Sequence, residues 1–341
     1  MKAIQYKEPR SWALVDLPTP EPGVGEVLVK VLRAGVCGTD RHLHVGEFGP
    51  TYPLVPGHEF AGEVVAVGDA VTSLMPGTLV AVDNCAQCGE CEYCRRKMAN
   101  FCEHTVAQGV NAQGGFAEYV VVREGRCFVV DDLDLDTAVL AEPTACVVHG
   151  LDQLAVAPGS RVLLFGAGPS GLILAQLLTR HGACELTVAA PTAFKLEHAR
   201  LAGAQHTVQV DRSDLAATVR ELTALCPGGF DVVIDATGAV SVLDQAIGLV
   251  RNGGTVFVYG MTEESAAWTV SPYEIFRREL TIKGSFAQAY SFDRALFMLR
   301  SGQVDPVGLI THRFSLAEYG EALEMSGRSE CIKAVIEPHG S

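Results

Sequence analysis

The sequence predicts a two-domain α/β protein, in which a β-rich part and a parallel sheet with helices on both faces occupy different stretches of the chain. Three observations predict this. Short apolar runs separated by glycine and proline fill residues 1–35 and 60–82. From about residue 145, apolar runs alternate with helical stretches. The length of 341 residues suits two domains, at about 100–200 residues each.

The β-rich part begins with short strands bounded by turn residues. Residues 26–31 form one predicted strand, directly after a proline- and glycine-rich turn, and residues 60–68 and 77–82 continue the pattern. Frequent glycine turns between short strands are typical of a compact β domain.

The second part reads as strand–helix–strand units. Its helices are predicted at 171–181 and 195–202, and a later helix at 293–301 leads back to β-like segments that end at 333–336. Alternation of this length predicts a doubly wound parallel sheet. Its six strands are predicted at 161–165, 186–189, 206–210, 231–235, 255–259 and 280–283.

Composition excludes some classes of function. The net charge of −14 argues against nucleic-acid binding, which rewards a basic face. No signal-peptide pattern and no apolar run of about 18 residues occurs, so we expect no membrane span. Eleven cysteines in such a chain suggest reduced thiols and metal binding, and hence a cytoplasmic protein.

A cluster of cysteines gives the strongest metal signal. Cys88, Cys91, Cys94 and Cys102 supply four thiolates, which complete a tetrahedral zinc shell and leave no open position for chemistry. Cys85 is a fifth cysteine in the same 18 residues, so a set of Cys85, Cys88, Cys91 and Cys94 is equally compatible with the composition. The alternative without metal is a group of ordinary buried or redox-active cysteines.

A glycine fingerprint follows the strand at 161–165. Gly166 permits a tight turn, Gly168 lets the backbone approach a pyrophosphate, and Gly171 lets the following helix pack on the sheet. The N-terminus of that helix offers free N–H groups to phosphate. The pattern in this context predicts a Rossmann dinucleotide-binding domain.

The end of the second strand bears on the choice of dinucleotide. NAD sites usually place an acidic residue there, but this strand ends Ala189-Ala190-Pro191 without a carboxylate. Thr192 and Lys195 could donate to a 2′-phosphate, which favours NADP(H) over NAD(H). An NAD site without its acid, with Lys195 on the helix surface, is the alternative.

Residues 37–59 carry a second set of chemical groups. Cys37 and His58 are ligand types that a catalytic zinc prefers, and Thr39 and His42 could pass a proton. Two such residues are more often found in a protein core than in a metal site, so the spacing alone leaves the question open.

The motifs Cys37-Gly-Thr-Asp, Gly57-His-Glu, the cysteine quartet and the glycine fingerprint occur here in the order found in one family. Over essentially its whole length the chain resembles the zinc-containing medium-chain dehydrogenases, the alcohol dehydrogenase family. Ala141-Glu142-Pro143 makes it most similar to the polyol, sorbitol and threonine dehydrogenase branch. The resemblance implies a GroES-like catalytic domain from 1–144 and 289–341 and a Rossmann domain from 145–288.

The resemblance also implies roles for single residues. Cys37, His58 and Glu142 would hold a catalytic zinc, and Glu59 would lie beside it or bind it transiently. Thr39 would bond the substrate oxygen, and His42 would relay its proton. Cys88, Cys91, Cys94 and Cys102, and not Cys85, would hold a structural zinc, which gives two zinc ions per chain.

We therefore expect a zinc-dependent oxidoreductase that transfers hydride between a secondary alcohol, polyol or sugar-like, and NADP(H) or NAD(H). The alternatives are a threonine-dehydrogenase-like enzyme and a non-catalytic NADP(H)-sensing protein. The expected partners are a small alcohol or ketone and further copies of the chain in a dimer or tetramer, without nucleic acid or membrane.

Overall fold

A computed structural model describes residues 1–180 and 185–340. The chain divides into two compact units. The first contains Met1–Cys146, Gln288–Ser301 and Ile310–Ser341, and the second contains Val147–Ala287 and Gly302–Leu309. Within the described ranges, no helix combines the length and the hydropathy needed to cross a membrane.

Seventeen strands are described. They are β1 Lys2–Glu8, β2 Ser11–Asp16, β3 Glu26–Val36, β4 Glu59–Val67, β5 Leu79–Val82, β6 Cys85–Ala86, β7 Val106–Ala107, β8 Tyr119–Arg123, β9 Cys127–Val129, β10 Arg161–Phe165, β11 Glu185–Ala190, β12 His206–Gln209, β13 Phe230–Asp235, β14 Val250–Val258, β15 Thr281–Gly284, β16 Ile310–Ser315 and β17 Lys333–Glu337.

Eleven α-helices and three short 3-10 helices connect these strands. The α-helices are α1 Gly38–Val45, α2 Glu92–Arg95, α3 Leu135–Ala138, α4 Ala141–Leu154, α5 Pro169–Arg180, α6 Ala193–Leu201, α7 Leu215–Leu225, α8 Val240–Leu249, α9 Pro272–Arg278, α10 Phe292–Arg300 and α11 Tyr319–Met325, and the 3-10 helices are Ala99–Phe101, Glu124–Arg126 and Leu316–Glu318.

The first unit is built on a seven-stranded sheet. Its order is β16-β17-β3-β4-β5-β9, and β8 pairs with β3 as well. All pairs are antiparallel except β16 with β17. The central strand β3 buries most of its residues because it is covered on both edges by partners. The predicted β-rich, GroES-like architecture is confirmed.

The packing of this sheet brings distant stretches of the chain together. Ala34 and Gly35 of β3 lie opposite Phe60 and Glu59 of β4, and β17 pairs with the same end of β3. Its core contains Ile4, Phe60, Phe116 and Tyr319, all at most 2% exposed. The start of β4 and the start of β17 therefore meet at the end of β3, directly before α1.

The second unit is built on a six-stranded parallel sheet of order β12-β11-β10-β13-β14-β15. The order reverses between β10 and β13, and ligands of such sheets bind at this switch point, outside the carboxyl ends of the strands. The predicted doubly wound Rossmann sheet is confirmed, and β10 has the predicted bounds. The helix predicted at 171–181 is α5, whose described part ends at Arg180; His181 lies outside the described residues.

Candidate functional site

Cys37 lies where strand β3 gives way to helix α1. It is the N-cap residue of that helix, with extended backbone angles, and Asp40 in the first turn accepts its backbone N–H at 2.8 Å through Oδ2. An acidic residue in the first turn also suits the positive end of the helix dipole. The local sequence thus fixes the position of the Cys37 thiol relative to the sheet.

Cys37 forms a compact group with His58 and Glu59. The ligand atoms of the three side chains all lie within 4.8 Å of one another. His58 and Glu59 are 4% and 1% exposed, since Glu59 begins the buried part of β4 and His58 directly precedes it. Sulfur, imidazole nitrogen and carboxylate oxygen are the three donor types that protein zinc sites use.

Asp40 lies next to this group and faces the imidazole ring of His58. Its Oδ1 lies 3.6 Å from Nδ1 of His58, and both atoms are buried without another hydrogen-bond partner in the described chain. Burial lowers the pKa of His58, but the charges of Asp40 and Cys37 outweigh burial and raise it well above its ordinary value. A carboxylate facing one ring nitrogen is the usual support of a histidine that ligates metal with the other. The donor set and its support therefore fit a zinc ion.

Glu142 lies near this group but is not part of it. It stands in the first turn of α4, is 9% exposed, and its Oε1 accepts from the thiol of Cys146 at 3.3 Å. Burial and the neighbouring Glu59 raise the pKa of Glu142 to about 7, although the charge of His58 opposes this. Among the described residues, the group whose ligand atoms lie within 4.8 Å of one another contains Glu59 and not Glu142.

Thr39 and His42 both lie on α1. The hydroxyl of Thr39 is 3.7 Å from Sγ of Cys37. His42 pairs with Glu47, its Nδ1 lying 2.6 Å from Oε2, and its side chain is 18% exposed. One helix thus presents a hydroxyl beside the thiol and a partly exposed imidazole one turn further on.

Lys333 is a residue that sequence reasoning missed. It lies at the start of β17, and its ammonium pairs with Oε2 of Glu59 while both side chains are 1% exposed. Burial lowers the pKa of Lys333, but Glu59 and Cys37 outweigh it and raise the pKa above its ordinary value. Asp40 was also missed. The signal available for it was its place three residues after Cys37, in the first turn of a helix.

The cysteine quartet forms a second group. The sulfurs of Cys88, Cys91, Cys94 and Cys102 lie within 4.8 Å of one another. Sγ of Cys88 is 3.6 Å from that of Cys102 and 4.0 Å from that of Cys94. A tetrahedron with Zn–S bonds of about 2.3 Å requires S–S distances of about 3.8 Å, so the spacing fits zinc.

Backbone N–H groups surround these sulfurs. Cys91 donates to Sγ of Cys88 at 3.3 Å, and Cys88 donates to Sγ of Cys102 at 3.4 Å. Although burial opposes it, such backbone donors lower the pKa of Cys102 to about 6. Cys85 is separate: it lies on β6, bonded to Asp83 and Asn84, and burial raises the pKa of its thiol to about 12.

The glycine fingerprint lies at the switch point of the parallel sheet. Gly166 follows β10 directly with a φ of 107°, which favours glycine. A Cβ on Gly171 would overlap the carbonyl oxygen of Gly166, whereas a Cβ on Gly168 would meet nothing within 4 Å. Gly171 is thus needed by the fold, and Gly168 borders open space directly before the N-terminus of α5.

The end of β11 carries the residues predicted to choose between dinucleotides. Ala190 is 1% exposed and no carboxylate stands at this position. Thr192 caps α6, and its hydroxyl accepts the backbone N–H of Lys195 at 3.3 Å. Both predicted residues therefore stand at one helix N-terminus.

Comparison with known proteins agrees with a metal-dependent dehydrogenase. Residues 23–132 match the alcohol dehydrogenase GroES-like domain, and residues 169–301 match the zinc-binding dehydrogenase family. The chain is 42% identical to D-arabinitol dehydrogenase 1 of Uromyces fabae, over 99% of this chain and 97% of that protein. It is 36% identical to D-altritol 5-dehydrogenase of Agrobacterium fabrum, over 93% and 94%.

A solved structure of similar fold also belongs to a zinc-binding dehydrogenase. A zinc-binding dehydrogenase from Sinorhizobium meliloti, bound to NADP, superposes with a TM-score of 0.92 at 33% identity, over 99% of each chain. The fold and the site define an oxidoreductase. The chain belongs to the zinc-containing medium-chain alcohol dehydrogenase family.

Proposed function

We propose that this enzyme oxidises a secondary alcohol group of a polyol or sugar alcohol and passes the hydride to a nicotinamide dinucleotide. The observation that carries the proposal is the buried group of Cys37, His58 and Glu59, backed by Asp40. The polyol class is supported by the relatives that are named for arabinitol and altritol.

Cys37, His58 and Glu59 would hold the catalytic zinc, and Glu142, whose buried carboxyl interacts electrostatically with His58 and Glu59, would be a further ligand. The cysteine quartet would hold a structural zinc, giving two ions per chain. Zinc bound at the first group supplies Lewis acidity toward a hydroxyl group. The buried donors exclude bulk water, which strengthens every electrostatic interaction there.

The proton is handled by residues of α1. Thr39, beside the Cys37 thiol, would accept the proton of the substrate hydroxyl while it releases its own hydroxyl proton toward His42. His42, held by Glu47 and partly exposed, would pass a proton on to solvent. The hydrogen on the substrate carbon leaves as hydride to the nicotinamide ring, so the carbonyl product has lost one hydride and one proton.

The dinucleotide would bind at Gly166, Gly168 and Gly171, with its pyrophosphate at the N-terminus of α5. We propose NADP(H) as the preferred form. The lack of a carboxylate at the end of β11 removes repulsion of a 2′-phosphate, and Thr192 and Lys195 stand at the adjacent helix N-terminus. A solved relative bound to NADP is compatible with this choice.

Copies of the chain would associate through β15, as a dimer or, with a second interface, a tetramer. Among the described strands, this one is the last in the parallel sheet, pairs only with β14 and exposes all four residues. The preceding helix exposes Tyr273 and Phe276, at 66% and 79%. An uncovered edge strand is a template for another strand. Ile282→Lys should therefore yield smaller particles in analytical ultracentrifugation.

Two further assignments stay predictions. The catalytic and dinucleotide domains are proposed to be residues 1–144 with 289–341 and residues 145–288. The cytoplasmic location rests on the cysteines, of which the ten described are all free thiols.

The test is a substrate panel of polyols, sugars and L-threonine with NADP and NAD, run on the wild type and on Cys37→Ser. We expect turnover of a polyol, a higher kcat/KM with NADP, and loss of turnover in the variant while its dinucleotide affinity is retained. Dinucleotide binding without turnover of any alcohol would instead indicate an NADP(H) sensor. Turnover of L-threonine alone would indicate an amino-acid dehydrogenase.

A further inference from the structure

The ammonium of Lys333 is buried against Glu59, a member of the candidate catalytic group. Its partner is Oε2 of Glu59, and the two side chains are each 1% exposed. A buried charge without a partner costs several kcal/mol, so each of these groups depends on the other. The reaction scheme above gives Lys333 no part in hydride or proton transfer, and its position calls for another role.

The backbone makes a slot for this ion pair. Gly35 of β3 lies opposite Glu59 of β4 on one side and opposite Val335 of β17 on the other. A Cβ at Gly35 would overlap Oε2 of Glu59 and lie 2.8 Å from Cε of Lys333. Three neighbouring strands therefore leave room for a carboxylate and an ammonium, and any residue larger than glycine would close it.

The charges around Lys333 are those of the metal group. Glu59, Cys37 and Glu142 all act on the ammonium as anions. Glu59 belongs to the group with Cys37 and His58, yet one of its oxygens is engaged by Lys333. The Glu59 carboxylate thus pairs with the Lys333 ammonium and also belongs to the group that fits a divalent cation.

We propose that Lys333 is a positioning residue that competes with the divalent cation for Glu59. It holds the carboxylate in place before metal binds, and it weakens the donation of that carboxylate afterwards. The zinc ion is thereby held less tightly and keeps more of its Lewis acidity. The proposal rests on the proposed function in one respect, that the group of Cys37, His58 and Glu59 binds zinc.

The experiment measures zinc retention by the catalytic site against graded chelator, with metal content as the readout. Lys333→Met should hold this zinc at least about tenfold more tightly than the wild type, because no ammonium then competes with the metal for the Glu59 carboxylate. Lys333→Arg keeps the charge and should behave like the wild type. Lys7→Met, at an exposed lysine of β1, is the matched control.

A second arm tests the route through Glu59. Glu59→Gln should weaken zinc retention, and in that background Lys333→Met should no longer tighten it. The metal-free Lys333→Met protein should unfold at a lower temperature than the metal-free wild type, because Glu59 loses its partner. Adding zinc should remove this difference, because the metal then pairs with Glu59.

Equal or weaker zinc retention in folded Lys333→Met would overturn the proposal, and so would equal tightening in the Glu59→Gln background. If Lys333→Met does not fold, Lys333→Gln is measured in its place with the same expected direction. Failure of the proposed function looks different: the wild type would then bind one zinc per chain, and Cys37→Ser would not change that number.

Discussion

Oδ1 of Asp40 lies 3.6 Å from Nδ1 of His58, with both side chains buried. The same carboxylate accepts the backbone N–H of Cys37 through its other oxygen. One acidic residue thus places two members of the candidate metal group, the thiol through the helix cap and the imidazole through its ring nitrogen. Support of this kind fixes the tautomer and the orientation of a ligating histidine.

Asp40→Asn should therefore lower zinc affinity at the catalytic site by about 10–100-fold. Asparagine keeps an acceptor for the Cys37 N–H, so the cap survives while the negative charge beside His58 is lost. Zinc content after dialysis against graded chelator measures the effect, and Asp69→Asn, an exposed carboxylate of the same unit, is the control. Unchanged zinc content in Asp40→Asn would show that His58 needs no such support.

The second prediction concerns the cysteine quartet. Cys102→Ser should remove one zinc per chain and lower the free energy of unfolding by on the order of 4 kcal/mol, because loss of a bound metal is among the largest single-residue effects. Cys85→Ser is the matched control, since its sulfur lies outside the group and its partners are Asp83 and Asn84. Metal analysis and thermal unfolding measure the two effects. Loss of the zinc from Cys85→Ser and not from Cys102→Ser would refute the assignment.

The parallel sheet could be predicted closely from the sequence because its central strands are buried on both faces. Residues 161–165 form a continuous apolar run that ends at a glycine, and β10 has those bounds. Strand β14 begins at Val250, five residues before the predicted start. The prediction began later because the sequence Asn252-Gly253-Gly254 is typical of a turn. In the structure this segment stays in the strand, with an irregularity in its register against β13.

The metal group could be predicted only in part. Cys37, His58 and Glu59 are close in sequence, and their motifs can be read directly. Lys333 and Glu59 are 274 residues apart in the sequence, and the pairing of β17 with β3 brings them into contact. No local sequence pattern predicts such a contact. The assignment of Glu142 came from resemblance alone. The group with Cys37 and His58 contains Glu59, because Glu59 follows His58 directly in the chain and begins strand β4.

The third prediction separates two roles of glycine in the fingerprint. Gly171→Ala should destabilise the protein by about 1–3 kcal/mol, since the new methyl group overlaps the carbonyl of Gly166. Gly168→Ala should leave stability unchanged, because open space surrounds that position, but it should weaken dinucleotide binding by about tenfold or more, which is about 1.4 kcal/mol. Chemical unfolding and fluorescence titration with NADPH measure the two effects. Equal loss of stability in both variants would contradict the distinction.

The fourth prediction concerns the dependence of stability on pH. Asp136 of α3 pairs with Arg313 of β16 and with Arg33 of β3, and these arginines hold the pKa of its carboxyl below the ordinary value of 3.8. A carboxyl group whose pKa is lowered in the folded state stabilises the fold above its unfolded pKa, and the contribution disappears as the pH falls through the folded value.

Asp136→Asn should therefore cost about 1 kcal/mol of unfolding free energy near neutral pH, a modest amount because the carboxylate is 37% exposed. The difference from the wild type should shrink as the pH falls from about 4.5 through the ordinary pKa of 3.8 toward the lowest pH at which the protein stays folded. Urea unfolding at a series of pH values measures this, with Asp69→Asn as the control. A difference that stays constant or grows on acidification would show that Asp136 acts by packing and hydrogen bonding and not by its charge.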